Sequence, residues 1–420
     1  MSRFLFATLG SLGDLHPYIA VARALVARGE QAVIATAADY REPVENAGVE
    51  FAAVGPAMAS FGEYRAVITR LFNGRHGPEF LMRELVMPHL RAAYDDLERA
   101  TAGADLLVSH PLALTLPLLA QKKHLPWVST VLAPLSLMSD HDPPVIDGAP
   151  WLRHLRLLGP GFYGALFGLL KRGVRHWEAP LHALRAELGL PPTERMAMFE
   201  GQFSPLKNLA LFDAPLAQPQ PDWPLHTVVC GSPVFDGAAA TLPEDVAQFL
   251  DAGEAPIVFA LGSSAVWIAG DFWKHAAAAA RQLGRRAMLV TGPEQPRDLP
   301  DGVRAFPYLP YSQVFPRAAA IVHQAGIGTL AQGLRAGRPQ LIVPAAFDQP
   351  DNARRAQALG LARTLPFRRV TARRLAAELD ALFTNADHAV AARAVATGLA
   401  QSDPAARAAE ELMACLRSRS

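Results

Sequence analysis

The stretch "IVHQAGIGTLAQGL", residues 321–334, holds Gly326 and Gly328 between a β-branched run and an apolar periodic one. That is the pattern of a strand, a glycine turn and a helix start, where backbone can approach a ligand closely. Free N–H groups and the positive helix end then face whatever sits there, and an anion, most simply a diphosphate, is the natural occupant. A purely steric reason for the glycines is the plain alternative. After the next apolar run comes "FDQPDN", residues 347–352, in which Asp348 and Gln349 offer acceptors and donors suited to sugar hydroxyls. Asp348 can equally be a helix N-cap, and Asn352 a simple helix residue. Near the other end of the sequence, "GSLGDLHP" places Asp14 in the turn after a first apolar run, with His16 two residues on. Either group is chemically able to take a proton from a hydroxyl. Asp14 also suits an N-cap. His110 ends "DLLVSH", where a lone histidine is ordinarily structural; paired with Asp14, its imidazole would orient or tune the carboxylate.

These turns need a scaffold of strands and helices. "FLFATLG" (4–10), "QAVIATA" (31–37), "GVEFAAVG" (48–55), "DLLVSH" (105–110) and "PWVSTVLA" (126–133) read as strands, with helices over 16–29 and 79–102. The stretch 134–226 is irregular. A second series follows a proline-rich passage, with strands over 256–262, 287–292, 303–309, 319–324 and 339–345. The fold class expected is α/β, two doubly wound parallel-sheet domains facing across a cleft. The boundaries expected are 1–215 for an acceptor-binding domain, 216–245 for the linker and 246–400 for a nucleotide-sugar domain. Residues 401–420 should form a helix packing back towards the first domain.

Bulk composition agrees with a folded protein of this kind. The 420 residues are 50% hydrophobic and 19% charged, which excludes disorder, and the net charge of +1 gives no field for a nucleic-acid partner. Cys230 and Cys415 are too few for a disulfide framework, and the N-terminus lacks the apolar core of a signal peptide. A cytoplasmic location is expected, with peripheral contact at the inner membrane face. That contact rests on 151–177, where Trp151, Leu157, Phe162 and Leu166 are flanked by Arg153, Arg156, Lys171, Arg172 and Arg175. Basic ends around an apolar middle suit an interfacial helix or the wall of a lipophilic pocket. A core helix with solvated charges is the other reading.

Taken together, "GSLGDLHPYIAVARAL" (10–25) and the passage from Tyr308 to Asn352 resemble the family 1 glycosyltransferases of the GT-B fold, and the first turn resembles their bacterial branch. Among subgroups, "DWPLHTVVCGSPVFDG" (222–237) is most similar to the rhamnosyltransferases that build bacterial rhamnolipids. The resemblance covers most of the sequence and is loosest between 57 and 200. It implies a hexose donor of the UDP-glucose or dTDP-rhamnose type and a lipophilic hydroxyl acceptor. No cofactor beyond that co-substrate is implied, and no metal. It places Asp14 as the base, with His16 as the alternative and His110 in support. Tyr308 would stack on the nucleobase beside the Leu309 backbone, and Gln332 would meet the ribose. Ser263, His323, Gln324, Gly326, Gly328 and Thr329 would surround the diphosphate, and Asp348 and Gln349 would read the sugar. The sequence departs from many relatives at Gln324, where they carry a second histidine. No Asp-x-Asp pair follows a strand, so the implied transfer is a metal-independent single displacement with inversion. Two further classes stay open: a nicotinamide-dependent oxidoreductase, although "GSLGDLHP" lacks the third glycine and only Asp39 could serve the ribose, and a sugar-nucleotide epimerase or binder.

Overall fold

Phe4, Leu5 and Phe6 are at most 1% exposed. A strand buried on both faces needs helices over both, which is the condition of an inner strand in a parallel sheet. The computed structural model, which describes residues 1–237 and 242–417, meets that condition twice. One unit comprises Met1–Phe235 with Asp403–Ser420, and the other Asp236–Ser402. Residues 238–241 of the expected linker and 418–420 of the expected terminal helix lie outside the described residues.

The first unit carries seven strands: β1 (Arg3–Ala7), β2 (Gln31–Thr36), β3 (Glu50–Ala53), β4 (Leu106–Ser109), β5 (Trp127–Val131), β6 (Asn208–Ala210) and β7 (Thr227–Val229). They pair in parallel in the order β3-β2-β1-β4-β5-β6-β7. The passage 134–226 is therefore less irregular than its composition suggests, since it supplies β6, and β7 lies inside the expected linker. Helix α1 (Leu12–Val26) follows β1, and α2 (Gly159–Val174) occupies the Trp- and Arg-rich stretch. The helix expected over 79–102 is broken into short turns before a regular run at Leu90–Ala100. Pro88 lies at the break and lacks the N–H an unbroken helix would need. The C-terminal helix Pro404–Arg417 packs on α1, burying Ala408, Ala409 and Leu412 completely.

The second unit has six parallel strands: β8 (Ile257–Ala260), β9 (Ala287–Val290), β10 (Val303–Phe306), β11 (Ala320–His323), β12 (Gln340–Ile342) and β13 (Ala362–Thr364). Their order is β10-β9-β8-β11-β12-β13. Helix α3 (Ile327–Ala336) follows β11 and α4 (Gln349–Ala358) follows β12. In both sheets the strand order reverses beside the first strand of its series. Connections leave in opposite directions there, opening a crevice at the carboxyl ends of β1 and β4, and of β8 and β11.

Candidate active site

In the first unit the switch point brings together the two turns that carry Asp14 and His110. Ser11 caps α1: its hydroxyl accepts from Gly13 N–H at 3.2 Å. Asp14, the third helical residue, takes the Ser11 N–H on Oδ2 at 2.7 Å, with Ser11 Oγ at 3.1 Å. This is a capping box. The helix begins earlier than the sequence periodicity suggests, and the expected N-cap alternative for Asp14 is corrected to the third position of that box. The second oxygen, Oδ1, lies 3.4 Å from Nε2 of His110. The other ring nitrogen of His110 accepts from Leu112 N–H at 3.1 Å, so a neutral imidazole carries its proton on Nε2, towards the carboxylate. Burial raises the Asp14 pKa, but the His110 hydrogen bond and charge and the Ser11 contacts outweigh it and hold the carboxyl below its usual range.

The surroundings fix both partners. Gly10 has φ +132°, and a Cβ there would stand 2.3 Å from Asp14 Oδ2, so only glycine leaves room for the carboxylate. Tyr40 holds the same turn by donating to Gly10 O at 2.9 Å. Tyr18 lies beside the His110 ring with centroids 5.9 Å apart, and its hydroxyl donates to Thr130, which in turn donates to Ser109 O at 3.0 Å. His16, the alternative base, packs its ring edge-on against Phe235.

The second switch point gathers Gly262, Ser263, Gln324, Gly326 and Thr329. Ser263 sits in a single helical turn, Gly262–Ala265, directly after β8. Gln324 is 5% exposed, and its Nε2 would lie 2.2 Å from a Cβ on Gly262 and 2.8 Å from one on Gly326. Two glycines therefore make the slot that holds this amide. Its Oε1 is buried with no partner among the described residues, as is Oε1 of Gln332 one turn further along α3 from Gly328. A Cβ at Gly328 would meet nothing within 4 Å, whereas Thr329 is buried at the third position of α3. The expectation that the His323 side chain contacts the donor is corrected. The ring is wholly buried, Nε2 is 2.7 Å from Gln340 Oε1, and Nδ1 accepts from Ala325 N–H at 3.1 Å. Burial lowers its pKa to about 4, so it is a neutral strut under the turn.

Around these turns Tyr308 is 52% exposed and donates its hydroxyl to Asp236 O at 2.5 Å, while Leu309 beside it is buried. Asp348 occupies the N-cap position of α4 but makes no capping bond; its Oδ2 instead accepts from Asn352 Nδ2 at 2.7 Å. Gln349 spends its oxygen on the N–H groups of Ala345 and Ala346, at 2.9 and 3.2 Å, which leaves the amide nitrogen as the group able to meet a hydroxyl.

Asn352 is the residue that sequence reasoning undervalued. Completely buried, its Nδ2 bonds both Asp348 and the carbonyl of Ala325 at 3.0 Å, so one amide ties the turn after β11 to the loop after β12. Asn352→Ala should cost about 1–3 kcal/mol in chemical denaturation, the range for stranding a buried carbonyl. The spacing Asp348-x-x-x-Asn352 was the available signal, since residues four apart meet on a helix. Ser11-x-x-Asp14 was likewise the visible mark of a capping box.

Comparison with known proteins agrees with this geometry. Residues 4–77 match the Glycosyltransferase family 28 N-terminal domain, and residues 289–414 match the Erythromycin biosynthesis protein CIII-like, C-terminal domain. The protein is 32% identical over 418 residues to the O-mycaminosyltylonolide 6-deoxyallosyltransferase of Streptomyces fradiae, covering 95% of this sequence and 94% of that one. It is 29% identical to the vancomycin aglycone glucosyltransferase of Amycolatopsis orientalis, over 98% and 97% of the two sequences. Among solved structures, the calicheamicin glycosyltransferase CalG4 superposes with a TM-score of 0.72 at 18% identity, over 99% and 98%. The glycosyltransferase VinC in complex with dTDP gives 0.71 at 22%, over 99% and 100%. Nothing in these matches supports an oxidoreductase or an epimerase. The protein belongs to the antibiotic-type glycosyltransferases of the GT-B fold, enzymes that draw their sugar from a nucleotide donor.

Proposed function

We propose that this glycosyltransferase moves a hexose from a UDP-glucose- or dTDP-rhamnose-type donor to a hydroxyl of a lipophilic small molecule or lipid, with inversion and without a metal ion. The observation that carries the proposal is the Asp14 carboxylate at the β1/β4 switch point, facing the imidazole proton of His110. The acceptor oxygen attacks the anomeric carbon as its proton passes to Asp14. The bond from that carbon to the diphosphate oxygen breaks on the opposite face, which inverts the centre. His110 orients the carboxylate and steadies its charge before the proton arrives.

In the second unit, the amino end of α3 with Gly328 and Thr329, the Gln324 amide and Ser263 would take up the negative charge of the departing diphosphate. Gln324 is neutral where many relatives have histidine, so donor binding should not vary with pH through an ionisation at this position. Tyr308 would bear the base, Gln332 the ribose, and Asp348 with the Gln349 amide nitrogen the sugar. The 6-deoxyallosyl relative and the dTDP-bound neighbour support deoxyhexose donors on thymidine diphosphate. The lipophilic acceptor and the rhamnolipid-type likeness rest on the sequence resemblance and on the apolar stretch 151–177.

A thermal-shift panel of UDP- and dTDP-sugars tests the donor. At a hundredfold excess over Kd, a ligand specific to the native state adds roughly 2.7 kcal/mol, which is readily seen as a raised Tm. Stabilisation by one nucleotide series, followed by acceptor-dependent release of that nucleoside diphosphate, is expected. A panel in which no nucleoside-diphosphate sugar raises Tm would overturn the proposal.

A further inference from the structure

Large apolar side chains exposed to solvent are concentrated in one place. Of the ten such residues among those described, Trp151, Leu157, Leu158, Leu169 and Leu170 all belong to α2 and the short helical segment Pro150–Leu158 that leads into it. Leu157 is 99% exposed. Along α2, Tyr163 and Phe167 point into the unit, four residues apart on one face. The opposite face presents Gly161, Ala165, Gly168, Leu169 and Arg172 at spacings of three and four residues, all exposed. It is a low, apolar face with leucines at both ends. A surface helix of a globular protein ordinarily turns charged or polar residues outward; this one turns leucine and glycine.

Charge selects the occupant. Between residues 150 and 177 there are five arginine or lysine residues and no acid. Lys171 and Arg175 are balanced by Glu200 and Glu194, and Arg156 by Asp142. Arg153 and Arg172 are uncompensated by any carboxylate among the described residues. Trp151, 61% exposed at the start of the segment, has the amphipathic ring that settles at a headgroup boundary. At sixteen residues α2 is too short to cross a bilayer, and no helix among the described residues is long and apolar enough to do so.

We propose that the outward face of α2, with Trp151, Leu157 and Leu158, is a docking surface for an anionic lipid membrane, on which the helix lies in the interfacial plane. Leucines and tryptophan enter the acyl boundary while Arg153 and Arg172 meet the phosphates. This surface is independent of the donor assignment, because none of its residues belongs to the nucleotide or proton-transfer machinery.

Co-sedimentation of the full-length protein with vesicles tests it, using pure phosphatidylcholine and phosphatidylcholine mixed with phosphatidylglycerol. The protein should sediment with the mixed vesicles and much less with the neutral ones. Leu157→Ser/Leu169→Ser should lower the partition coefficient by about tenfold or more, and Arg172→Glu by about fivefold or more. Both variants alter exposed side chains and should melt at the wild-type temperature. Absence of binding to the mixed vesicles, or binding that neither variant weakens, would overturn the proposal. So would a wild-type dimer in vesicle-free ultracentrifugation that the leucine variant makes monomeric, since the occupant would then be a second copy of the protein.

Discussion

Asp14→Asn is expected to lower kcat by about 10²–10⁴-fold, the usual share of a general base, while the nucleoside diphosphate still raises Tm as in the wild type. The asparagine preserves the shape of the side chain, so the loss would report proton transfer and not a missing fold. The companion result concerns pH. In the native state burial raises the Asp14 carboxyl, and the His110 hydrogen bond and charge together with Ser11 more than offset it, placing the group below its ordinary 3.8. The basic form is therefore already present at neutral pH, and the acid limb of kcat/KM should lie below the ordinary carboxylate range. His110→Ala removes two of the lowering influences and leaves the burial, so the limb should move to higher pH. The linkage to stability has the same sign. A depressed native pKa stabilises the fold above the unfolded value, and that contribution disappears as pH falls through the native value. If His110→Ala keeps the wild-type rate and pH profile while Asp14→Ala is inactive, the pair is not a functional unit.

How much of this was legible in the sequence depended on how local each feature is. The strands β1, β2, β4, β8 and β11 announce themselves because burial on both faces demands a continuous apolar run. By contrast β6 is three residues long and opens with Asn208, whose amide is wholly buried and bonded to Ser204 and Leu225. Only the tertiary environment makes that position a strand. The glycine turns could be read for the same reason as the long strands, since their chemistry lies within a few residues. The Asp14 and His110 pairing depends on β1 lying beside β4, and that adjacency is a property of sheet order. His323 shows the opposite failure. Its type and place in the turn suggest a ligand contact, yet burial and the Gln340 bond turn it inward. Gln349 is similar, with half of its amide committed to the loop that presents it.

The contrast between two glycines offers the sharpest test of the donor site, because the fold needs one of them and has no use for the other. Gly262 has φ +66°, and a methyl there would strike the Gln324 amide at 2.2 Å. Gly262→Ala should therefore cost about 1–3 kcal/mol of stability, from left-handed backbone and a displaced buried side chain. Gly328 lies inside the first turn of α3 with open space where its Cβ would be. For the free protein alanine is the better helix residue at that position, and Gly328→Ala should raise stability by about 0.5–1 kcal/mol. If the diphosphate lies against this turn, the added methyl occupies the ligand's place. The donor KM should then rise by about tenfold, equivalent to ~1.4 kcal/mol of lost binding. A more stable protein with weaker donor binding is an outcome that packing alone does not produce. A Gly328→Ala enzyme with unchanged donor KM would move the diphosphate away from α3, and with it the roles given to Thr329 and Gln324.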